Sequence, residues 1–176
     1  MPFRFYSAAS LTAATALVAF TAPAMPAAAQ GTRLTESAGG FSYAVPAGWV
    51  ISRIPGNPYK VCYRLQTNDL PPNIIERVQP NSDSLAKFTQ DTVADLAKQT
   101  KRFHILSQTP FVTALGLHGM RVAMDGTLEA RRAYQIYYIF PKPSSQKVGV
   151  LFTCLEADSP KYVPTADSAM KTFTLP

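Results

Sequence analysis

The chain has 176 residues, of which 47% are hydrophobic and 16% charged, and its formal net charge is +6. That length suits one domain with an appendage, and so much apolar material excludes wholesale disorder. Fifteen prolines against nine glycines exclude a long helical rod.

Residues 1–29 read as a cleavable signal peptide. Arg4 supplies a positive start with no acid nearby, Ala8 to Phe20 is a short apolar run, and Ala27-x-Ala29 meets the small-residue demand of a signal peptidase. The alternative is a membrane anchor. Thirteen residues from Ala8 to Phe20 are too few to cross roughly 30 Å of hydrocarbon as a helix. No cysteine near the cleavage point supports a lipid anchor. Cleavage leaves 147 residues from Gln30 onward, lowers the net charge to +5 by removing Arg4, and leaves no integral membrane span. The expected destination is periplasmic or secreted. Residues 30–40, polar and small, read as a flexible lead-in, and residues 41–176 as a single domain.

Export changes the meaning of Cys62 and Cys154. In an oxidising compartment two cysteines permit one disulfide, closing a loop of about 90 residues and contributing roughly 4 kcal/mol on the chain-entropy view. The alternative is two buried thiols on strands, acting as small apolar groups.

The elements then follow in chain order. Phe41 to Val45 alternates its large apolar residues and reads as a strand. Pro46-Ala47-Gly48 is a turn, and Trp49-Val50-Ile51 begins a second strand that stops at Pro55-Gly56-Asn57-Pro58. Tyr59 to Leu65 and Asn73 to Val78 are two more strands, separated by Pro71-Pro72. Ser82 to Arg102 reads as a helix with Ser82 as N-cap. Leu85, Phe88, Thr92, Val93, Leu96 and Ala97 lie on one face at the 3.6-residue period, with Lys98, Lys101 and Arg102 in the last turns.

The remainder reads as a meander. His104 to Leu106 and Phe111 to Leu115 flank Pro110. Met120 to Met124 precedes a hairpin signal at Asp125-Gly126. Arg131 to Phe140 and Lys147 to Leu155 are joined through a Pro- and Ser-rich turn. These last two strands are apolar on both faces: Tyr134, Ile136, Tyr138 and Phe140 oppose Ala133, Tyr137 and Ile139, while Val148, Val150, Phe152 and Cys154 oppose Leu151 and Leu155. Such strands need cover on both sides. A closing helix starts near Ser159-Pro160 and packs through Val163, Ala166, Met170 and Phe173. The fold class is α+β, an α/β/α sandwich with a mainly antiparallel central sheet flanked by helices.

Phe41-Ser42-Tyr43-Ala44-Val45-Pro46-Ala47-Gly48-Trp49 resembles the opening strand and Pro-x-Gly-Trp turn of the PsbP-like family, which includes small exported bacterial members such as DcrB. The likeness continues through the long helix, Gly119 to Ala123, Val148 to Leu155 and the closing helix ending at Lys171-Thr172-Phe173. It implies the same sandwich and a role in binding or assembling other proteins. No shared enzyme activity and no functional residue come with it.

Catalytic chemistry is sparse. His104 and His118 are the only histidines, and H-E-x-x-H, C-x-x-C, G-x-S-x-G and Gly-rich phosphate loops are absent from the sequence. Both histidines read as strand-end or turn residues. Trp49 reads as a core plug over the first hairpin or as an aromatic in a ligand groove. Arg131-Arg132 beside Tyr134, Tyr137 and Tyr138 looks superficially like nucleic-acid recognition, but export and strand periodicity favour a charged strand start. No catalytic, metal or cofactor residue is assigned.

The expected role is an exported, non-catalytic binding or assembly module of the bacterial cell envelope, its partner a protein or envelope component. The alternatives are a small periplasmic ligand-binding protein or hydrolase with a dispersed site and His104 or His118 as base, and a redox sensor through the two cysteines. Mass spectrometry of the exported protein is expected to show a chain starting at Gln30; a mass that retains residues 1–29 overturns the leader reading.

Overall fold

The computed structural model describes residues 32–65 and 70–176. The leader expected at residues 1–29 lies outside them. Among the described residues nine strands and two α-helices run β1 (Arg33–Glu36), β2 (Phe41–Ala44), β3 (Val50–Arg53), β4 (Lys60–Tyr63), β5 (Asn73–Pro80), α1 (Leu85–Gln99), β6 (Lys101–Val112), β7 (His118–Leu128), β8 (Arg131–Lys142), β9 (Gln146–Leu155) and α2 (Ser159–Lys171). Strands β3 to β9 form a seven-stranded sheet in the order β3-β4-β5-β9-β8-β7-β6, antiparallel throughout, and β1 pairs only with β2.

The two-sided strands sit where their pattern requires. In β8, Ile136, Tyr138 and Phe140 enter the larger core with Val148, Val150 and Phe152 of β9, beneath α2 and the β1–β2 hairpin. Tyr137 and Ile139 turn the other way and meet Phe88 of α1 and Met124 of β7 in a smaller core. Phe173, just past α2, holds the larger core together. It stacks on Phe140 at 4.4 Å between ring centroids and lies nearly parallel to Phe41 at 5.8 Å. Ser42 and Thr174 exchange backbone hydrogen bonds, so the chain end docks on the hairpin.

Several boundaries differ from the sequence reading. Residues 33–36, expected in the lead-in, form β1, because Leu34 and Glu36 alternate inward while Arg33 and Thr35 stay outside. An inward carboxylate hides that alternation from a hydrophobicity pattern. The N-cap of α1 is Ser84 rather than Ser82: Ser84 Oγ accepts the Lys87 N–H, while the Asn81 side chain occupies the chain just before it. The helix ends at Gln99, and Ala97 is exposed; Lys101 and Arg102 belong to β6. Pro110 does not divide β6, since an outer strand tolerates a residue without an N–H.

Asp125-Gly126 is not a turn. β7 runs through it to Leu128, and the chain reverses at Glu129 and Ala130, with φ of 46° and 68°. Gly126 is required for space instead, because a Cβ there would lie 2.3 Å from Thr100 Cγ2. Gly48, by contrast, is a turn residue. Its φ of +76° completes the Pro46–Trp49 turn closed by the Trp49 N–H to Pro46 carbonyl bond.

The disulfide is also corrected. Cys62 and Cys154 are both buried and unbonded. Cys62 pairs across to Ile74 of β5, and β5 in turn pairs with β9, which carries Cys154. One whole strand separates the thiols, about 10 Å of sheet width, beyond the roughly 7 Å that a disulfide spans between Cα atoms.

The larger core carries most of the fold. Phe140→Ala is expected to cost about 3–5 kcal/mol, whereas Leu96→Ala at the margin of the smaller core should cost about 1–2 kcal/mol. Urea midpoints at unchanged slope check both, and similar losses at the two positions would contradict the asymmetry.

Candidate functional site: a trough beside the first helix and a buried acid beneath the hairpin

On the α1 side the sheet is incompletely covered. A trough of about 780 Å³ lies between α1 and the loop joining β3 to β4. Its floor comes from Ile75 and Arg77 of β5, Leu151 of β9 and Tyr137 of β8. Thr92, Asp95, Leu96 and Gln99 of α1 form one wall and the Pro55–Tyr59 loop the other. Period-two alternation brings Ile75 and Arg77 to this face while Ile74 and Glu76 enter the larger core.

Gly149 shapes the floor. A Cβ there would stand 1.9 Å from the Tyr137 hydroxyl oxygen, so the phenol lies across the strand where a side chain would otherwise rise. Burial pushes the Tyr137 phenol up to about 12, partly offset by the Arg77 guanidinium. Arg77 is exposed and makes no ion pair among the described residues. Asp95 on the wall is already held by Lys98 at 2.8 Å.

Beneath the hairpin lies a second polar cluster. Glu76, 2% exposed, accepts a hydrogen bond from the Tyr43 hydroxyl through Oε1, and the Cys62 thiol lies 3.3 Å from the same hydroxyl. Glu76 Oε2 is buried with no hydrogen-bond partner. Glu36 of β1 is close enough to act on it electrostatically, and itself accepts the Lys60 N–H while lying 3.8 Å from Arg53. Burial pushes Glu76 up to about 8, with the Tyr43 bond opposing and the Glu36 charge adding. Burial likewise raises the Tyr43 phenol and pushes Cys62 up to about 12, so neither is a ready nucleophile.

The sequence-singled residues fall elsewhere. Trp49 does not line the trough; it is 8% exposed in the larger core, edge-on to Tyr162 at 6.4 Å. The groove reading of Trp49 gives way to the core plug, because the chain leaving the Pro46–Trp49 turn aims the indole at α2. His104 Nδ1 lies 2.9 Å from Asp125 Oδ1, and Arg132 bonds both Asp125 and Glu156. His104 is thus oriented, yet no serine, threonine or cysteine side chain bonds either histidine among the described residues. His118 is exposed at the start of β7. Among the described residues no group of three or more His, Cys, Asp or Glu side chains could hold a metal ion, and no helix is long and apolar enough to cross a membrane.

Arg77, Tyr137 and Glu76 went unrecognised as site residues. Gly149 within an apolar strand was the available signal for the trough, since an interior glycine marks a close approach. Nothing local distinguishes Glu76 from a solvent-facing strand carboxylate.

No family model matches the chain, and no curated protein matches it. Solved structures do. LpqN of Mycobacterium tuberculosis, described as involved in cell envelope biogenesis, superimposes with a TM-score of 0.63 at 15% identity, covering 83% of this chain and 86% of LpqN. Cyanobacterial PsbP from Synechocystis gives 0.60 at 11% identity over 89% of this chain and 99% of that protein. The Saccharomyces cerevisiae Ran-binding protein Mog1p gives 0.60 at 13% identity over 82% and 94%.

The buried acid generates a pH dependence. Glu76 holds its proton more tightly in the folded chain than at its ordinary value of 4.5, so the stability it lends is complete below about pH 4 and declines as pH rises through about 8. The full loss is on the order of 5 kcal/mol. Glu76→Gln should flatten the curve of urea midpoint against pH and exceed the wild type above pH 8; parallel curves would contradict the assignment. With seven antiparallel strands between a helix-and-hairpin layer and α1, the chain has the α+β sandwich fold of the PsbP and Mog1p structures.

Proposed function

We propose that this chain is an exported, non-catalytic binding module of the bacterial cell envelope, of the DcrB-like kind, and that the trough beside α1 is its working surface. The observation that carries the reading is the trough itself: a partly open concavity combining apolar floor residues with an exposed guanidinium that makes no ion pair among the described residues. The leader pattern of residues 1–29 supports export. One protein of the same fold is described as Ran-binding, which supports binding as the activity, and another as involved in cell envelope biogenesis, which supports the envelope setting. The partner is a protein or envelope component, not a nucleic acid.

A photo-cross-linking amino acid at Thr92, on the trough wall, is expected to capture a discrete partner in intact cells. The same group at the exposed Ser168 of α2 should not. Capture from Ser168 alone, or substrate turnover abolished by His104→Ala, would overturn the proposal.

A further inference from the structure

The chemistry of the trough floor goes beyond its identification as a binding surface, though it rests on that identification. Ile75 pairs directly across to Leu151, making an apolar seat, and Arg77 pairs across to Gly149, whose missing side chain leaves room for the Tyr137 phenol beside the guanidinium. Ile75 and Arg77 stand two residues apart on one face of β5, about 7 Å. An extended peptide presents its side chains i and i+2 to one side at the same interval.

The charge at the second position is defined. Arg77 has no carboxylate ion-pair partner among the described residues, and the wall carboxylate Asp95 lies 2.8 Å from Lys98. The Tyr137 hydroxyl lies beside the guanidinium over Gly149 and adds a polar group without adding negative charge. A guanidinium facing an open trough is complementary to a carboxylate, which it can bind through two parallel N–H bonds. The trough is partly open to solvent, so a segment can enter it from the surface.

We infer that the trough accepts an extended peptide segment of the pattern apolar-x-acidic, with the apolar side chain on Ile75 and Leu151 and the carboxylate on Arg77.

The test is an NMR titration of the mature chain with two synthetic peptides, acetyl-Gly-Ser-Leu-Ser-Asp-Ser-Gly-amide and the same peptide with lysine for aspartate. The expected result is that shifts concentrate at Ile75, Arg77, Tyr137 and Leu151, with the aspartate peptide binding about fivefold or more tighter. Arg77→Glu should reverse that order. A preference for aspartate that survives Arg77→Glu reflects only the basic net charge and overturns the inference, as do shifts lying outside the trough. Equal binding of both peptides within the trough also overturns the acidic specificity while leaving the trough as the binding surface, a reading that the Thr92 cross-link decides separately.

Discussion

The architecture depends on one constraint: β8 and β9 carry large apolar side chains on both faces, and each face must be removed from water. The two covers are unequal. α2, the β1–β2 hairpin and Phe173 together close one face, giving a core in which Tyr138, Phe140, Val148, Val150 and Phe152 are fully buried. The other face has α1 alone. A sheet of seven strands is about 30 Å wide, and a single helix with its side chains covers about 10–12 Å. Part of β5 and β9 is therefore left open, and that remainder is the trough. The candidate site is a consequence of how cover is distributed, not an added feature.

What the sequence made legible follows the same physics. Opposed apolar sets at Ile136, Tyr138 and Phe140 against Tyr137 and Ile139 can be read from a period of two, and the layered fold follows from them. Features that depend on nonlocal neighbours could not be read. Pro110 looks like a strand break until β6 is known to be the outer strand, and Asp125-Gly126 looks like a turn until Thr100 is known to press against it. Cys62 and Cys154 looked bridgeable because strand order is invisible in a linear chain. Glu36 and Glu76 were hidden because inward carboxylates mimic a solvent-facing position.

Such inward acids carry a cost that the surrounding structure must offset. The Tyr43 bond offsets part of it, and retention of the proton on Glu76 removes most of the rest. Tyr43 reaches Glu76 from β2, so this polar link joins the hairpin layer to the central sheet, as does the Lys60 N–H to Glu36 bond nearby. A directional bond in that position selects one placement of the hairpin over neighbouring ones that would bury similar apolar area.

That placement bears on the opposite face of the sheet. In β5 the residues alternate, Ile74 and Glu76 toward the hairpin, Ile75 and Arg77 toward the trough. A slip of one residue in the pairing of β5 with β9 would exchange the two sets, burying Arg77 and exposing Glu76. The Tyr43–Glu76 bond opposes that slip, because only the observed register brings the carboxyl beneath the phenol. The guanidinium in the trough is thus held in place partly by an acid buried on the far side of its own strand, and the core and the proposed binding surface share one determinant of register.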